Sequence, residues 1–436
     1  MYIGGNRVKK IAIIGAGYSG LACAKKLLEK EYTVTIFEEQ DEIGGMARCI
    51  SRNGYIIDKH YRHIFQSDTY MINLLNEMGL NQELQWLDTR MAYYSSEGLY
   101  EFGTPLSLLK YKPLNFIQKI KFGLSIINLK FIKNYKDIEK YTAKEWFVKR
   151  YGVSIYNKVW EPLMNGKFQN EKEKVSMAWL WGKINLRSTN GTMKGEKLGY
   201  LNGSWKKLND RLYSYLIENK CIIKLQEKVE KVYKSENKYI IETDKNKYEE
   251  FDEVVSTLPY NIMEEIFNDI LDDNEIEKIK QMKYMSAKTL LINSRKSISP
   301  YYWINVGDNS IPFVGIIEHT NMVDKTNYNS ENIIYISNYL DKNDEKYKMS
   351  AKELVELYLP YLKKINPNID LNGIISAETF EEECAQPVMK TNYSKDKLDN
   401  RLSSGVYIAN MSQIYPEDRG MNYAIKLGYD IAELIN

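Results

Sequence analysis

One stretch near the start of the chain restricts the fold more than any other. Residues 9–14 read Lys-Lys-Ile-Ala-Ile-Ile, an apolar run of the kind that becomes a buried parallel strand. Gly15-Ala16-Gly17-Tyr18-Ser19-Gly20 follows, then Leu21, Ala22, Ala24, Leu27 and Leu28 at helical spacing, then a second strand from Tyr32 to Phe37 that ends in Glu38. This is a complete βαβ unit with G-x-G-x-x-G at its turn. Gly15 permits the tight turn, and Gly17 lets main chain approach a pyrophosphate with no Cβ between. Gly20 lets the helix pack on the sheet, and the helix N-terminus, opened by Tyr18 and Ser19, offers N–H groups to phosphates. Glu38, with Glu39 beside it, lies roughly 20 residues further on, where a carboxylate accepts both ribose hydroxyls of an adenosine and repels a 2′-phosphate. The unit therefore predicts a dinucleotide site that disfavours NADP.

A second glycine cluster narrows the choice of dinucleotide. Gly44-Gly45-Met46-Ala47-Arg48 brings adjacent glycines and an arginine soon after the second strand. Two glycines can bring main chain against a second set of phosphates or a ribityl chain, and Arg48 can clamp a pyrophosphate through its planar fork. A simple NAD dehydrogenase has no need of such a loop, so FAD is the expected cofactor.

At this point the chain resembles the flavoprotein superfamily of amine oxidases, protoporphyrinogen oxidases, phytoene desaturases and UDP-galactopyranose mutases. The resemblance implies an α/β fold: a Rossmann-like FAD-binding domain of the glutathione-reductase type, interleaved with an α+β substrate domain. It assigns 1–75, 200–262 and 395–436 to the FAD domain, and 76–199 and 263–394 to the substrate domain. Residues 54–65 match the family segment that turns under the flavin ring, which implies flavin contacts for His60, Tyr61, Arg62 and His63. His63-Ile64-Phe65 resembles the His-(Ile/Leu)-Phe of the mutases, although Tyr61 and Arg62 stand where those have small residues. Val229 matches the position whose backbone pairs with the adenine. Near the C-terminus the family strand ends in Gly-Asp, and here Ala409-Asn410 replaces it. Asn410 can still serve a ribityl hydroxyl. Arg419-Gly420-Met421-Asn422 opens the last helix, whose N-terminus the family points at the flavin N1–O2 edge.

The rest of the chain is less specific. Pro105 to Lys136 carries seven lysines and no acidic residue, interleaved with large apolar side chains. Three readings stand there: contact with an anionic membrane surface, a positive rim for a phosphorylated substrate, or packed helices with solvated lysines. Thr142 with Glu145 predicts a capping box. Trp179 and Trp181 suit an aromatic wall near a flavin, or plain packing. Ser204 is read as the N-cap of a helix with Trp205, Leu208, Leu212 and Leu216 on one face. Ile222–Leu225, Lys228–Tyr233 and Lys238–Glu242 read as a three-strand meander. His319, flanked by Glu318 after a strand over 313–317, is a candidate acid or base. Gln386-Pro387 with Tyr393 resembles a family segment near the substrate pocket.

Composition excludes other classes. Sixty basic and 58 acidic residues leave a net charge of +2, so no global field draws nucleic acid. Four scattered cysteines with no C-x-x-C, and three histidines, make a disulfide scaffold or a metal centre improbable and fit a cytoplasmic protein. No run of 18 or more uncharged apolar residues exists to span a membrane. The leading expectation is an FAD-dependent oxidoreductase that moves a hydride between a substrate C–H bond and flavin N5, on a small-molecule substrate of sugar or glycan type. His63, His319 and Arg187 are its candidate substrate-facing groups. The alternatives are a redox-neutral mutase resembling UDP-galactopyranose mutase, and a non-catalytic binding protein like the Rab GDP-dissociation inhibitors. The oligomeric state is left open.

Overall fold

The computed structural model describes residues 2–3, 6–192, 195–369 and 371–436. A five-stranded parallel sheet has the order 222–224, 33–37, 10–14, 253–256, 407–408. Its central strand, Lys10–Ile14, is apolar on both faces because both are covered. Ile11 and Ile13 pack with the helices Tyr18–Glu29 and Met421–Leu434, while Ala12 and Ile14 face the meander and the helix Tyr260–Phe267. Parallel strands buried on both sides lose the alternation that marks a half-exposed strand. The last helix lies against the first so closely that a Cβ on Gly428 would come 2.3 Å from the Ser19 carbonyl oxygen.

Across from this sheet stands a seven-stranded one, ordered 374–387, 284–294, 332–340, 315–318, 303–306, 91–95, 98–101. The amphipathic helix Ala351–Ile365 packs its apolar stripe, including Leu354, Tyr358 and Leu362, onto the face that carries Leu290, Ile292, Ile334 and Ile336. A helical lobe centred on Trp146, Phe147, Trp160, Phe168 and Trp179 packs against the seven-stranded sheet through Tyr93 and Met285. The α/β architecture with interleaved segments is thus as expected.

Several local expectations hold and others do not. Thr142 and Glu145 form the capping box, with Glu145 N–H donating to Thr142 Oγ1 at 3.1 Å and Thr142 N–H donating to Glu145 Oε2 at 3.0 Å. Ser204 is not an N-cap: its φ is +102°, and the helix begins two residues later, at Lys206. The meander is displaced by one strand. Ile222–Lys224 joins the parallel sheet as its edge beside Thr33–Phe37, and the three antiparallel strands are 229–235, 238–243 and 247–251. The strand before Glu318 covers 315–318 rather than 313–317, so Glu318 lies inside it.

In the 105–136 segment, the helices Pro105–Lys110 and Phe116–Phe131 form as predicted, and the packed-helix reading holds for one side only, where Phe122 and Leu129 join the helical core with Leu108 and Ile126 against them. Only Phe122, Ser125 and Leu129 of the longer helix are buried, while Leu109, Phe116, Ile117 and Phe131 are 59–75% exposed. No helix among the described residues is long and apolar enough to cross a membrane.

Candidate functional site

The first glycine turn and the second glycine loop are built onto each other. Gly44 N–H donates to the Ala16 carbonyl at 2.8 Å, and a Cβ on Gly45 would lie 3.1 Å from Gly17 Cα. Gly15 needs its φ of +101°, and any side chain there would strike Thr257 Oγ1. A Cβ on Gly17 would meet no protein atom within 4 Å, so the gap it faces is not filled by the chain. No side chain caps the helix that starts at Tyr18, which leaves its first-turn N–H groups directed at that gap. A second clamp was not legible in the sequence. Asn209, on the helix Lys206–Glu218, accepts from Tyr18 Oη at 2.9 Å and donates to the Ala47 carbonyl at 3.1 Å. Tyr18 is therefore a strut between the loops, with its hydroxyl already engaged.

At the far end of the second strand, Glu38 is 8% exposed. Its carboxylate accepts Ala16 N–H at 2.8 Å and Gln40 N–H at 3.0 Å. Burial pushes its pKa up, opposed by those two N–H groups. Glu227 N–H donates to the Glu38 carbonyl at 2.9 Å, which brings the Val229 segment to the same end. Arg48 Nε donates to the Gly45 carbonyl at 3.0 Å, and its guanidinium also holds Gln40. A pyrophosphate cradle with a carboxylate at its ribose end fits a dinucleotide such as FAD: Gly15, Gly17, Ser19, Gly20, Gly45, Met46, Ala47 and Arg48 would hold the phosphates and Glu38 the adenosine ribose. Glu39 follows, exposed at the rim.

The segment 60–63 lies against the seven-stranded sheet. His60 Nδ1 pairs with Thr289 Oγ1 at 2.9 Å, and its Nε2 lies 3.5 Å from Glu382. Tyr61 Oη pairs with Ser337 Oγ at 3.1 Å, with its ring edge-on to Trp303. Arg62 lies 3.7 Å from the buried Asp58. His63 Nδ1 pairs with Tyr302 Oη at 2.9 Å, and burial, then the charges of Arg187 and Lys183, push its pKa down to about 3. A ring so held is neutral, and serves as a hydrogen-bonding group rather than a charged acid.

Arg187 is not a solvated helix end. It pairs with Glu196 at 3.1 Å and lies over the rings of Phe65 and Trp303. Arg419 donates to Tyr339 Oη at 2.9 Å and to Gln386 Oε1 at 3.2 Å, so the Gln386 segment does meet the start of the last helix. Ahead of it, Asp418 receives both Lys167 and Lys183. These lysines, Asp418 and Tyr339 carry no signal in the sequence, because they come from separate elements and form no motif. His63, Arg187, Lys183, Lys167, Arg419, Trp303 and Tyr339 thus line one region beside the last helix.

Two expectations are corrected. His319 is 1% exposed, donates or accepts at Tyr328 Oη at 2.7 Å, and stacks edge-on with Tyr200. Burial pushes its pKa down to about 3, and it belongs to an aromatic core rather than to a substrate-facing surface. Glu318 beside it accepts the N–H groups of Ile298 and Ser299, both at 3.0 Å, and ties down a loop. Asn410 is 3% exposed and has its amide in use, with Nδ2 donating to the Leu258 carbonyl at 2.7 Å and Oδ1 accepting Ser412 N–H at 2.9 Å. Its side chain braces the turn. Gly420 caps the last helix with extended backbone, Met421 is its first residue, and Asn422 Oδ1 accepts Met71 N–H at 3.1 Å. An open surface cavity of about 570 Å³, lined by residues such as Ile132, Tyr141, Trp146 and Arg150, includes none of these groups.

Comparison with known proteins agrees with this geometry. The profile of the flavin containing amine oxidoreductases matches residues 18–435. Protoporphyrinogen oxidase 2 of Arabidopsis thaliana is 25% identical over 182 residues, covering 39% of this chain and 34% of that protein. Coproporphyrinogen III oxidase of Staphylococcus aureus is 23% identical over 318 residues, covering 65% of this chain and 67% of the other. The chain thus spans about a third of the length of the plant relative. In structure, an oxidoreductase from Methanosarcina mazei superposes with a TM-score of 0.75 at 14% identity, over 97% of this chain and 100% of that one, a likeness of fold.

Proposed function

The chain belongs to the flavin-containing amine oxidoreductases, and from that premise we propose that it is an FAD-dependent oxidoreductase acting on a C–H bond of a small-molecule substrate. In this reading residues 1–75, 200–262 and 395–436 carry the cofactor, and 76–199 and 263–394 carry the substrate. The observation that carries it is the pair of glycine loops locked edge to edge, with Gly17 facing open space and Glu38 at the ribose end. Bound FAD supplies the two-electron chemistry, and the protein's part is to bind, orient and exclude water.

This chain's residues support each of those tasks. The rings of Phe65, Trp303 and Tyr61 form an apolar wall beside His63. His63 stays neutral and is tied to Tyr302, so it can orient a polar substrate group without bringing a charge. Arg187, fixed by Glu196, adds a positive field at the same wall. Sugar or glycan substrates suit such a surface, as do the porphyrinogens for which the two relatives above are named, and the substrate is to be found by experiment. Anaerobic addition of porphyrinogens, amines, polyisoprenoids or sugar nucleotides to the FAD-loaded protein should bleach the flavin absorbance with one class. A colourless protein that rejects added FAD refutes the reading.

The same reading includes peripheral contact with an anionic membrane surface through 105–136. Its support is the row of exposed Leu106, Leu109, Phe116, Ile117, Ile120, Leu124, Ile127 and Phe131 among lysines with no acid. Co-sedimentation with anionic vesicles, reversed by salt and weakened in Phe116→Ser/Phe131→Ser, is the expected result. No binding to such vesicles removes this part of the reading.

A further inference from the structure

Immediately before the last helix, three cations meet one carboxylate. Lys167, from the helix Glu161–Phe168, has Nζ 3.1 Å from both Asp418 oxygens. Lys183, from the helix Met177–Asn190, has Nζ 2.7 Å from Oδ2 of the same residue. Among the described residues, Arg419, the next residue in the chain, donates to neutral partners, Tyr339 Oη and Gln386 Oε1. Among the described residues no second carboxylate is in ion-pair range of these three, and neighbouring Arg187 and Arg62 face acids of their own, Glu196 and Asp58.

The group is not a solvated surface, where such an imbalance would cost little. The side chains of Lys167 and Asp418 are 13% and 14% exposed, and Lys183 is 36% exposed. Lys167 Nζ lies 4.9 Å from the Trp179 ring centroid and 5.7 Å from that of Tyr339, and Lys183 Nζ lies 5.6 Å from Trp179. The aromatic faces offset part of the lost hydration, yet they bring no countercharge. Withdrawing unpaired charges from water is unfavourable. A purely structural ion pair needs one lysine for Asp418. The second lysine and the arginine add like-charge repulsion to it.

We propose that Lys167, Lys183 and Arg419 form a binding subsite for an anionic group of the substrate, a carboxylate or a phosphate, with Asp418 as the positioning residue that holds the two ammonium groups apart and aimed. The missing negative charge is then the ligand's. The subsite rests on the oxidoreductase reading and narrows it, since the cluster borders the His63 wall and directly precedes Gly420 at the N-terminus of the last helix. Burial and the charges of Lys183 and Arg419 push the Lys167 pKa down against Asp418, as an ammonium short of counterions requires. An incoming anion relieves that opposition.

The test uses the FAD-loaded protein, titrated at constant ionic strength with inorganic phosphate and separately with acetate. Flavin absorbance and thermal midpoint are followed in wild type, Lys183→Met and Lys167→Met. A saturable response to phosphate or to acetate, with half-saturation raised at least tenfold in Lys183→Met, supports the subsite, and the responding anion identifies its source chemistry. Removing a surplus charge should also raise the thermal midpoint of Lys183→Met in anion-free buffer. The proposal is overturned by the absence of a saturable response to either anion, or by a response equal in the variants. A lowered midpoint in anion-free buffer overturns it too, since that marks a structural ion pair. So does loss of flavin stoichiometry with the anion response intact, since the surplus charge would then serve the cofactor. A yellow wild-type protein with no anion response leaves the oxidoreductase reading standing, so the two failures are separable.

Discussion

Replacing Glu38 by alanine should damage the protein twice, and the two effects can be measured apart. Before any ligand arrives, its carboxylate accepts Ala16 N–H at 2.8 Å and Gln40 N–H at 3.0 Å. Hydrogen bonds to a charged group contribute about 1.5–3 kcal/mol each. Water can reach part of the emptied space, so a combined loss of about 3 kcal/mol is the working figure. Unfolding entropy for 436 residues is roughly 0.9 kcal/mol per kelvin near the midpoint, so the FAD-free variant should melt about 3 °C lower. Ribose hydroxyls on the same carboxylate add a further loss of about 1.5–3 kcal/mol in FAD binding, or roughly 10- to 150-fold. Glu38→Gln should fall between, because its amide must turn an NH₂ toward one of two N–H donors. Scanning fluorimetry of the stripped protein reads the first effect, and FAD titration by fluorescence quenching reads the second. An unchanged melting point in the stripped variant would refute the two backbone contacts. FAD affinity within twofold of wild type would place the ribose elsewhere.

Three other substitutions probe separate parts of the argument. Gly17→Ala meets no protein atom, so the protein should melt within about 1 °C of wild type when stripped yet purify without bound flavin; a stoichiometric yellow variant contradicts the cradle. Asn209→Ala unties Tyr18 from Ala47 and should cost about 2 kcal/mol in denaturant unfolding, and a loss under about 0.5 kcal/mol would show the clamp is idle. His319 is held neutral in the fold, with its pKa lowered to about 3 against 6.5. Its share of stability is therefore present above pH 6.5 and is lost as pH falls toward 3. The stability gap between wild type and His319→Asn should move by about 2 kcal/mol from pH 7 to pH 5, against the wild type at the lower pH. A gap independent of pH would mean that His319 titrates as it does in water.

The cofactor half of the site was legible because its constraints are local. Gly15, Gly17, Gly20 and Glu38 occur within one βαβ unit, where turn geometry and helix packing leave little choice of residue. The substrate half is assembled from side chains far apart in sequence. Lys167, Lys183 and Arg419 come from three elements, and nothing in their neighbours marks them as a group. His319 misled because a strand-end histidine beside a glutamate reads alike whether it faces solvent or an aromatic core. Asn410 reads in sequence as having a spare amide, whereas the Leu258 carbonyl and Ser412 N–H already occupy it. The Ile222–Lys224 strand reads as part of the meander because its sequence cannot say which sheet edge is vacant. The buried row of Ile11, Ala12, Ile13 and Ile14, by contrast, announced a two-sided parallel strand outright.

The seam between the first and last helices has a bearing on how the protein is made. Gly428 rests on Ser19, and Tyr407–Ile408 completes the sheet that Lys10–Ile14 begins. During synthesis the amino-terminal unit therefore emerges with both edges of its sheet uncovered until 222–224 and 253–256 arrive, and with one flank of its helix uncovered until the last helix, nearly four hundred residues on. A nascent chain stalled before Tyr407 should capture no coenzyme, which makes flavin loading a step that follows translation rather than one that guides it.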